Sequence, residues 1–285
     1  MISYLRVGLI AASLAASVHA QDTGYRRLYV FGDSYSDIGA GYLDGNGPTA
    51  VAYLAKRMGL TLVPPQAPGS GAQSIDFAVS GAQTGAGSGH HVKEAWLGYG
   101  MMNQVQDFAR RVQKREIQFE PDRTLFFIAG GLNDKMLATA VTVANLRQEI
   151  ALLRTLGAQH VTVALLPTKI PSFADVGLRL NPALIELVRS ERAESQSDVW
   201  LNHWGSDFDQ IIQHPRQYGL TEVVEACAGR TIFDEDPTPK GNPDTFFFYH
   251  KGHPSTAVHR QVGDLLYAEL TQRLGRKVPE SAAQH

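Results

Sequence analysis

Short apolar runs rich in β-branched and aromatic residues alternate along the chain with longer stretches in which apolar positions recur every three or four residues. The runs at 28–31, 74–79, 124–129, 160–166 and 199–203 predict strands. Between them the helical period predicts helices over 48–58, 103–114, 142–156 and 182–194, with a last helix from about 255 to 274. Pro48 suits the first turn of the first helix, and Gly59 and Gly157 follow helix ends as stop signals. Strands that alternate with helices make βαβ units, so the expected architecture is α/β with a mainly parallel sheet. No internal repeat or long linker divides the chain, and residues 21–285 read as one domain.

Three segments break the alternation. Pro and Gly crowd 64–72, and 81–91 reads GAQTGAGSGHH, which predicts a flexible wall beside any site rather than a phosphate loop, because no Lys-Ser/Thr follows. The turn-rich stretch 234–244 predicts a surface loop near a substrate mouth, and the aromatics Phe246 to Tyr249 behind it read as a core strand.

The ends and the composition narrow the setting. Arg6, an uncharged stretch from Val7 to Ser17, and the small residues Val18 and Ala20 form a secretory signal over 1–20, too short for a stable membrane span. Export to the medium or the periplasm is therefore expected, with no membrane segment left after cleavage. The 26 basic and 28 acidic residues give a net charge of −2, with no basic stripe to suggest nucleic acid. Cys227 stands alone, so no internal disulfide can brace the fold, and it reads as a small buried hydrophobe.

Candidate chemistry sits at three strand ends. The first run leads straight into Gly32-Asp33-Ser34, where a serine hydroxyl would project into the crevice of such a sheet as a nucleophile, its own backbone N–H aimed at the charge that develops on an attacked carbonyl. Gly81, after the second internal run, would let another backbone N–H approach closely, and Asn133, in Gly131-Leu132-Asn133-Asp134, offers a side-chain amide as a third oxyanion donor. His253, followed by Pro254-Ser255 at a helix start, is the candidate base. Singly, each of these also fits a cap, a turn or a buried structural group; their conjunction is what carries weight. Asp33, Asp37 and Asp134 beside these groups read as acceptors for backbone N–H groups, with a structural role.

These strings resemble the GDSL or SGNH family of serine hydrolases, particularly secreted bacterial esterases, lipases and phospholipase-like members. GDSYSDIG is similar to the family's first block, FAVSGA to its second, GLND to its third and HPSTAVHR to its fifth. The resemblance implies a flavodoxin-like three-layer αβα fold, an acyl-serine formed at Ser34 with His253 as base, an oxyanion hole of Ser34, Gly81 and Asn133, no metal and no cofactor. Implied substrates are small-molecule esters, lipids or acylated glycans.

One departure stands out. The family's last block reads DxxH, whereas this chain has His250 three residues before His253. A neutral imidazole cannot supply a carboxylate's charge. Three outcomes follow: a Ser-His dyad in which the backbone carbonyl of His250 orients His253, as in some members of the family; an acid from elsewhere, Asp236 and Asp244 being nearest in sequence; or a weak enzyme that keeps the pocket for binding lipid or glycan. An acyltransferase using the same acyl-serine is the enzymatic alternative. A zinc site of His250, His253 and His259 is disfavoured because the third ligand would face elsewhere and no HExxH or Cys set accompanies them.

Overall fold

A run that is apolar at nearly every position must be covered on both faces, and β1 (Arg27–Gly32) is: all but Arg27 is buried. It lies inside a six-stranded, wholly parallel sheet ordered β2-β3-β1-β6-β7-β8, formed with β2 (Leu62–Val63), β3 (Ser74–Asp76), β6 (Thr124–Ala129), β7 (His160–Ala164) and β8 (Asp198–Asn202). Between β3 and β6 the chain makes an antiparallel hairpin, β4 (Ser88–Val92) and β5 (Ala95–Tyr99). These coordinates, a computed structural model, describe residues 23–194 and 197–277. The expected leader over 1–20 lies outside the described residues.

Helices cover both faces of the sheet. On one, α6 (Thr256–Lys277) packs along α1 (Ala50–Arg57) and α5 (Trp204–Gln213); on the other, α3 (Thr139–Thr155) lies between α2 (Met101–Gln113) and α4 (Ala174–Glu194). This is the three-layer αβα arrangement the family resemblance implies. Tyr29, Phe31, Phe77, Phe108 and Phe126 interlock between the sheet and α2, with Phe31 and Phe77 stacked at 5.4 Å. β9 (Glu222–Ala226), β10 (Phe246–His250) and β11 (His253–Pro254) make a separate small sheet, and Phe247 and Phe248 are buried in it as expected of a core strand. Cys227 is buried.

Three departures have physical causes. The Gly-rich stretch expected to be a flexible wall instead contributes β4, where Gly89 and, across the hairpin, Gly98 take positive φ. α4 begins eight residues before Pro182 rather than at it, because Val176 and Leu180 continue the buried stripe of Leu184, Leu187 and Val188, and that burial outweighs the hydrogen bond proline removes. α5 follows β8 so closely that no turn signal separates them in the sequence.

The chain runs outward from β1 to β2 and β3, then returns to place β6 on β1's other side. That reversal opens a crevice at the C-terminal ends of β3, β1 and β6, the position at which open α/β sheets bind ligands.

Candidate active site

Beyond β1 the chain makes a tight turn. The Asp33 carbonyl accepts the N–H groups of Ser36 and Asp37, each at 3.0 Å, and its Oδ1 accepts that of Tyr35 at 3.2 Å. Gln104 of α2 fixes the strand end from the side, accepting the N–H of Gly32 and donating to its carbonyl. Asp37 is fully buried and accepts N–H groups from Gly39, Ala40, Gly41, Tyr42 and Ser80, so it shapes the following loop and ties it to the end of β3. Asp134 accepts the Thr84 N–H and the hydroxyls of Thr84 and Thr142.

His253 reaches Ser34 from the far end of the chain. Lys251 and Gly252 form the tight turn between β10 and β11, with His250 paired opposite His253. Gly252 has φ +76°, a conformation that favours glycine, and its carbonyl accepts the Tyr35 hydroxyl at 2.7 Å. Tyr35 thus ties the nucleophile's turn to the turn that carries His253, and the two rings lie 5.6 Å apart. The result is a 2.8 Å contact between His253 Nε2 and Ser34 Oγ.

The surroundings of His253 correct the sequence-based expectation for its partner. Because His250 and His253 face each other across the turn, the carbonyl near His253 Nδ1 is that of Lys251, at 3.3 Å, and not that of His250. His250 turns its own ring to Asp44, with Nδ1 2.7 Å from Oδ1. Neither Asp236 nor Asp244 is the acid at this ring: both are exposed, Asp236 accepts the Thr238 N–H and Asp244 donates its N–H to Asn242. The acid that is present is Asp44, from the loop before α1, with Oδ2 3.3 Å from His253 Nε2. Arg230 completes the cluster, with Nε 2.9 Å from Asp44 Oδ1 and a terminal nitrogen 2.9 Å from His253 Nδ1; that same nitrogen donates to the Lys251 carbonyl.

Burial pushes the His253 imidazole below its ordinary value; Asp44 opposes the shift and Arg230 adds to it. Burial works against ionisation of Asp44, but the hydrogen bond from His250 and the charges of His253 and Arg230 outweigh it and hold the carboxyl below its usual range. His253 is thus neutral at pH 7 and Asp44 beside it is ionised. His259, the third histidine considered for zinc, is buried behind this pair; burial, then His253, pushes it down to about 3, and its Nδ1 accepts the Ala50 N–H. Among the described residues no group of three or more His, Cys, Asp or Glu is disposed to hold a metal ion.

The expected oxyanion donors stand at the neighbouring strand ends. Gly81 has φ +79°, and a Cβ there would come within 3.3 Å of the Gly98 nitrogen, whose N–H donates to the Ser80 carbonyl. The hairpin therefore braces the loop that presents Gly81. Asn133 spends one amide hydrogen on the Ala82 carbonyl at 2.9 Å, which orients the group and leaves a second hydrogen.

Sequence reasoning missed Tyr35, Asp44 and Arg230. Tyr35 lies inside the nucleophile string; the other two carry no local signal, since Asp in GYLDGNG reads as a turn residue.

A parallel sheet with helices on both faces, with Ser34 and His253 in contact at its switch point, is the three-layer arrangement of SGNH-type folds. The family model for GDSL-like lipases and acylhydrolases matches residues 28–266, and the chain belongs to that family. A GDSL esterase/lipase of Arabidopsis thaliana is 27% identical over 100 residues, 32% of this chain and 27% of that protein. Among solved structures, the YXIM protein of Bacillus subtilis superposes with a TM-score of 0.49 at 14% identity, covering 87% of this chain and 57% of the other. A family two carbohydrate esterase from Clostridium thermocellum gives 0.48 at 14%, with 88% and 65% covered, and a G-D-S-L family protein from Veillonella parvula 0.44 at 13%, with 88% and 99%. The chain thus spans about a quarter of the curated relative and less than two thirds of the first two structures.

Proposed function

We propose that this member of an acyl ester hydrolase family is an exported serine esterase that cleaves carboxylic esters through an acyl-serine. The observation that carries the reading is the 2.8 Å contact between Ser34 Oγ and His253 Nε2 at the switch point of the sheet. His253 Nε2 takes the Ser34 proton as Oγ attacks the ester carbonyl. The N–H groups of Ser34 and Gly81 and the Asn133 amide receive the negative charge on the carbonyl oxygen. The leaving alcohol departs with the proton from Nε2, and water, activated by the same nitrogen, then releases the acid and restores the hydroxyl. For this cycle Nδ1 must carry a hydrogen, for which the Lys251 carbonyl is the acceptor at hand.

Export rests on the sequence of residues 1–20, and no described helix is long and apolar enough to cross a membrane. A fluorophosphonate should label Ser34 of the purified protein, and Ser34→Ala should abolish both labelling and p-nitrophenyl acetate hydrolysis, a loss of about 10⁴-fold or more. Labelling at another residue, or hydrolysis that survives in Ser34→Ala, would overturn the assignment.

A further inference from the structure

We infer that Asp44 is the positioning acid of His253, a carboxylate moved from the position before the base to the loop after the nucleophile, with His250 as the partner that makes the move possible. The inference rests on the esterase reading and deepens it.

Arg230 holds a permanent positive charge 2.9 Å from His253 Nδ1, yet proton transfer from Ser34 must make the same ring cationic. Two cations in contact in a buried site are unfavourable unless an anion joins them, and Asp44 touches both, through Oδ1 to Arg230 Nε and through Oδ2 to His253 Nε2. The groups facing the ring from the described elements packed against it are Ser34, Tyr35, Asp44, Arg230, His250, the Lys251 carbonyl and His259. Asp44 is the single carboxylate in that set.

His250 Nδ1 lies 2.7 Å from Asp44 Oδ1, and both side chains are 8% exposed. An aspartate at 250 would press a second carboxylate against the first, and one of them would have to take up a proton. An imidazole donating Nδ1–H satisfies Asp44 instead. His250 and Asp44 therefore form a complementary pair, and the histidine in HKGH marks a relocated acid rather than a lost one.

With Arg230 donating to Nδ1, the neutral ring carries its hydrogen on Nε2, between Ser34 Oγ and Asp44 Oδ2. With Arg230 drawn wholly onto the Lys251 carbonyl, Nδ1 carries the hydrogen and Nε2 is free to accept from Ser34. Asp44 holds the arginine in either case through Nε, and so fixes the ring's position during the exchange.

The test uses Asp44→Asn, His250→Asp and the double variant, read by kcat and KM for p-nitrophenyl acetate from pH 4 to 9 and by NMR titration of the His253 ring. Asp44→Asn should lower kcat about 10- to 100-fold with little change in KM, and should move the His253 midpoint downward, because the charge that raises it is gone while Arg230 stays. His250→Asp alone should also lower kcat. The double variant, which returns the carboxylate to position 250, should exceed His250→Asp and recover at least about tenfold over Asp44→Asn. A kcat within about twofold and an unmoved midpoint in Asp44→Asn, or a double variant no better than Asp44→Asn, would refute the assignment. Should Asp44→Asn fail to fold, the double variant set against His250→Asp decides in the same way. If the native protein hydrolyses no ester and takes no fluorophosphonate, the esterase reading fails, and the titration still decides the place of Asp44.

Discussion

Ser34 and His253 meet at 2.8 Å, but their supports differ in kind. Ser34 is held by backbone hydrogen bonds inside the five residues 33–37, by Ser80 from the segment after β3, which binds Asp37, and by Gln104 packed against the strand end. His253 is held by a two-residue turn on a small separate sheet, by Tyr35, which bonds that turn's Gly252 from 217 positions away, and by a side-chain cluster whose members come from the loop before α1, the segment after β9 and the end of β10. The nucleophile's side is thus made of short-range backbone geometry, while the base's side is made of long-range side-chain charges. Backbone geometry of the first kind tolerates no loss of an acceptor; a charge cluster of the second kind can redistribute its partners.

The sharpest test of that contrast is Asp37. Its carboxylate accepts five backbone N–H groups in a buried loop, so Asp37→Ala leaves several donors unpaired at once. The expected cost is about 3–5 kcal/mol of unfolding free energy, seen as a large fall in Tm, with activity lost alongside because the same loop leads to Asp44. A variant that keeps its Tm and loses only turnover would show that Asp37 belongs to the chemistry and not to the scaffold.

Asn133 should give the next largest effect, and it should fall on rate rather than on stability. One of its amide hydrogens is committed to the Ala82 carbonyl, so the side chain is oriented before substrate arrives. Asn133→Ala should reduce kcat by about 10²- to 10³-fold with KM nearly unchanged, the signature of a donor used in the transition state. Equal losses in kcat/KM and in Tm would instead make Asn133 a structural tie between β6 and the loop after β3.

The same contrast explains what the sequence could reveal. Strings whose geometry is set by neighbouring residues are legible: GDS, FAVSGA and GLND each end a strand that the apolar pattern locates, and the structure sets those ends side by side. The sheet was legible for the same reason, since β1 and β6 are buried on both faces and read as unbroken apolar runs. The cluster around His253 was not. Asp44 lies in a turn-forming string, 206 positions from the histidine that binds it, and Arg230 has no motif at all. HKGH was legible as a tight turn carrying His253, but which carbonyl faces the ring depends on the pairing of His250 with His253, which only the β10–β11 register supplies. The β4–β5 hairpin was hidden because glycines that favour loops also permit the positive φ at Gly89 and Gly98.

Lys93 should give the smallest effect and probes the outer edge of the base's side. Its ammonium donates to the Thr231 carbonyl and to Asp234, each at 2.6 Å, and so links the β4–β5 hairpin to the segment just beyond Arg230. Both partners are exposed, with the Asp234 side chain 87% accessible, so water and salt screen the pair. Lys93→Met keeps the length of the side chain and removes the charge; stability should change by no more than about 0.5 kcal/mol, less still at high salt. If Arg230 is held mainly by Asp44, kcat should stay within about twofold of the native value and its acid limb should not move. A tenfold fall in kcat at unchanged Tm would instead mean that the hairpin sets the position of Arg230, and the base's side would then depend on the loop that braces Gly81 as much as on its own buried charges.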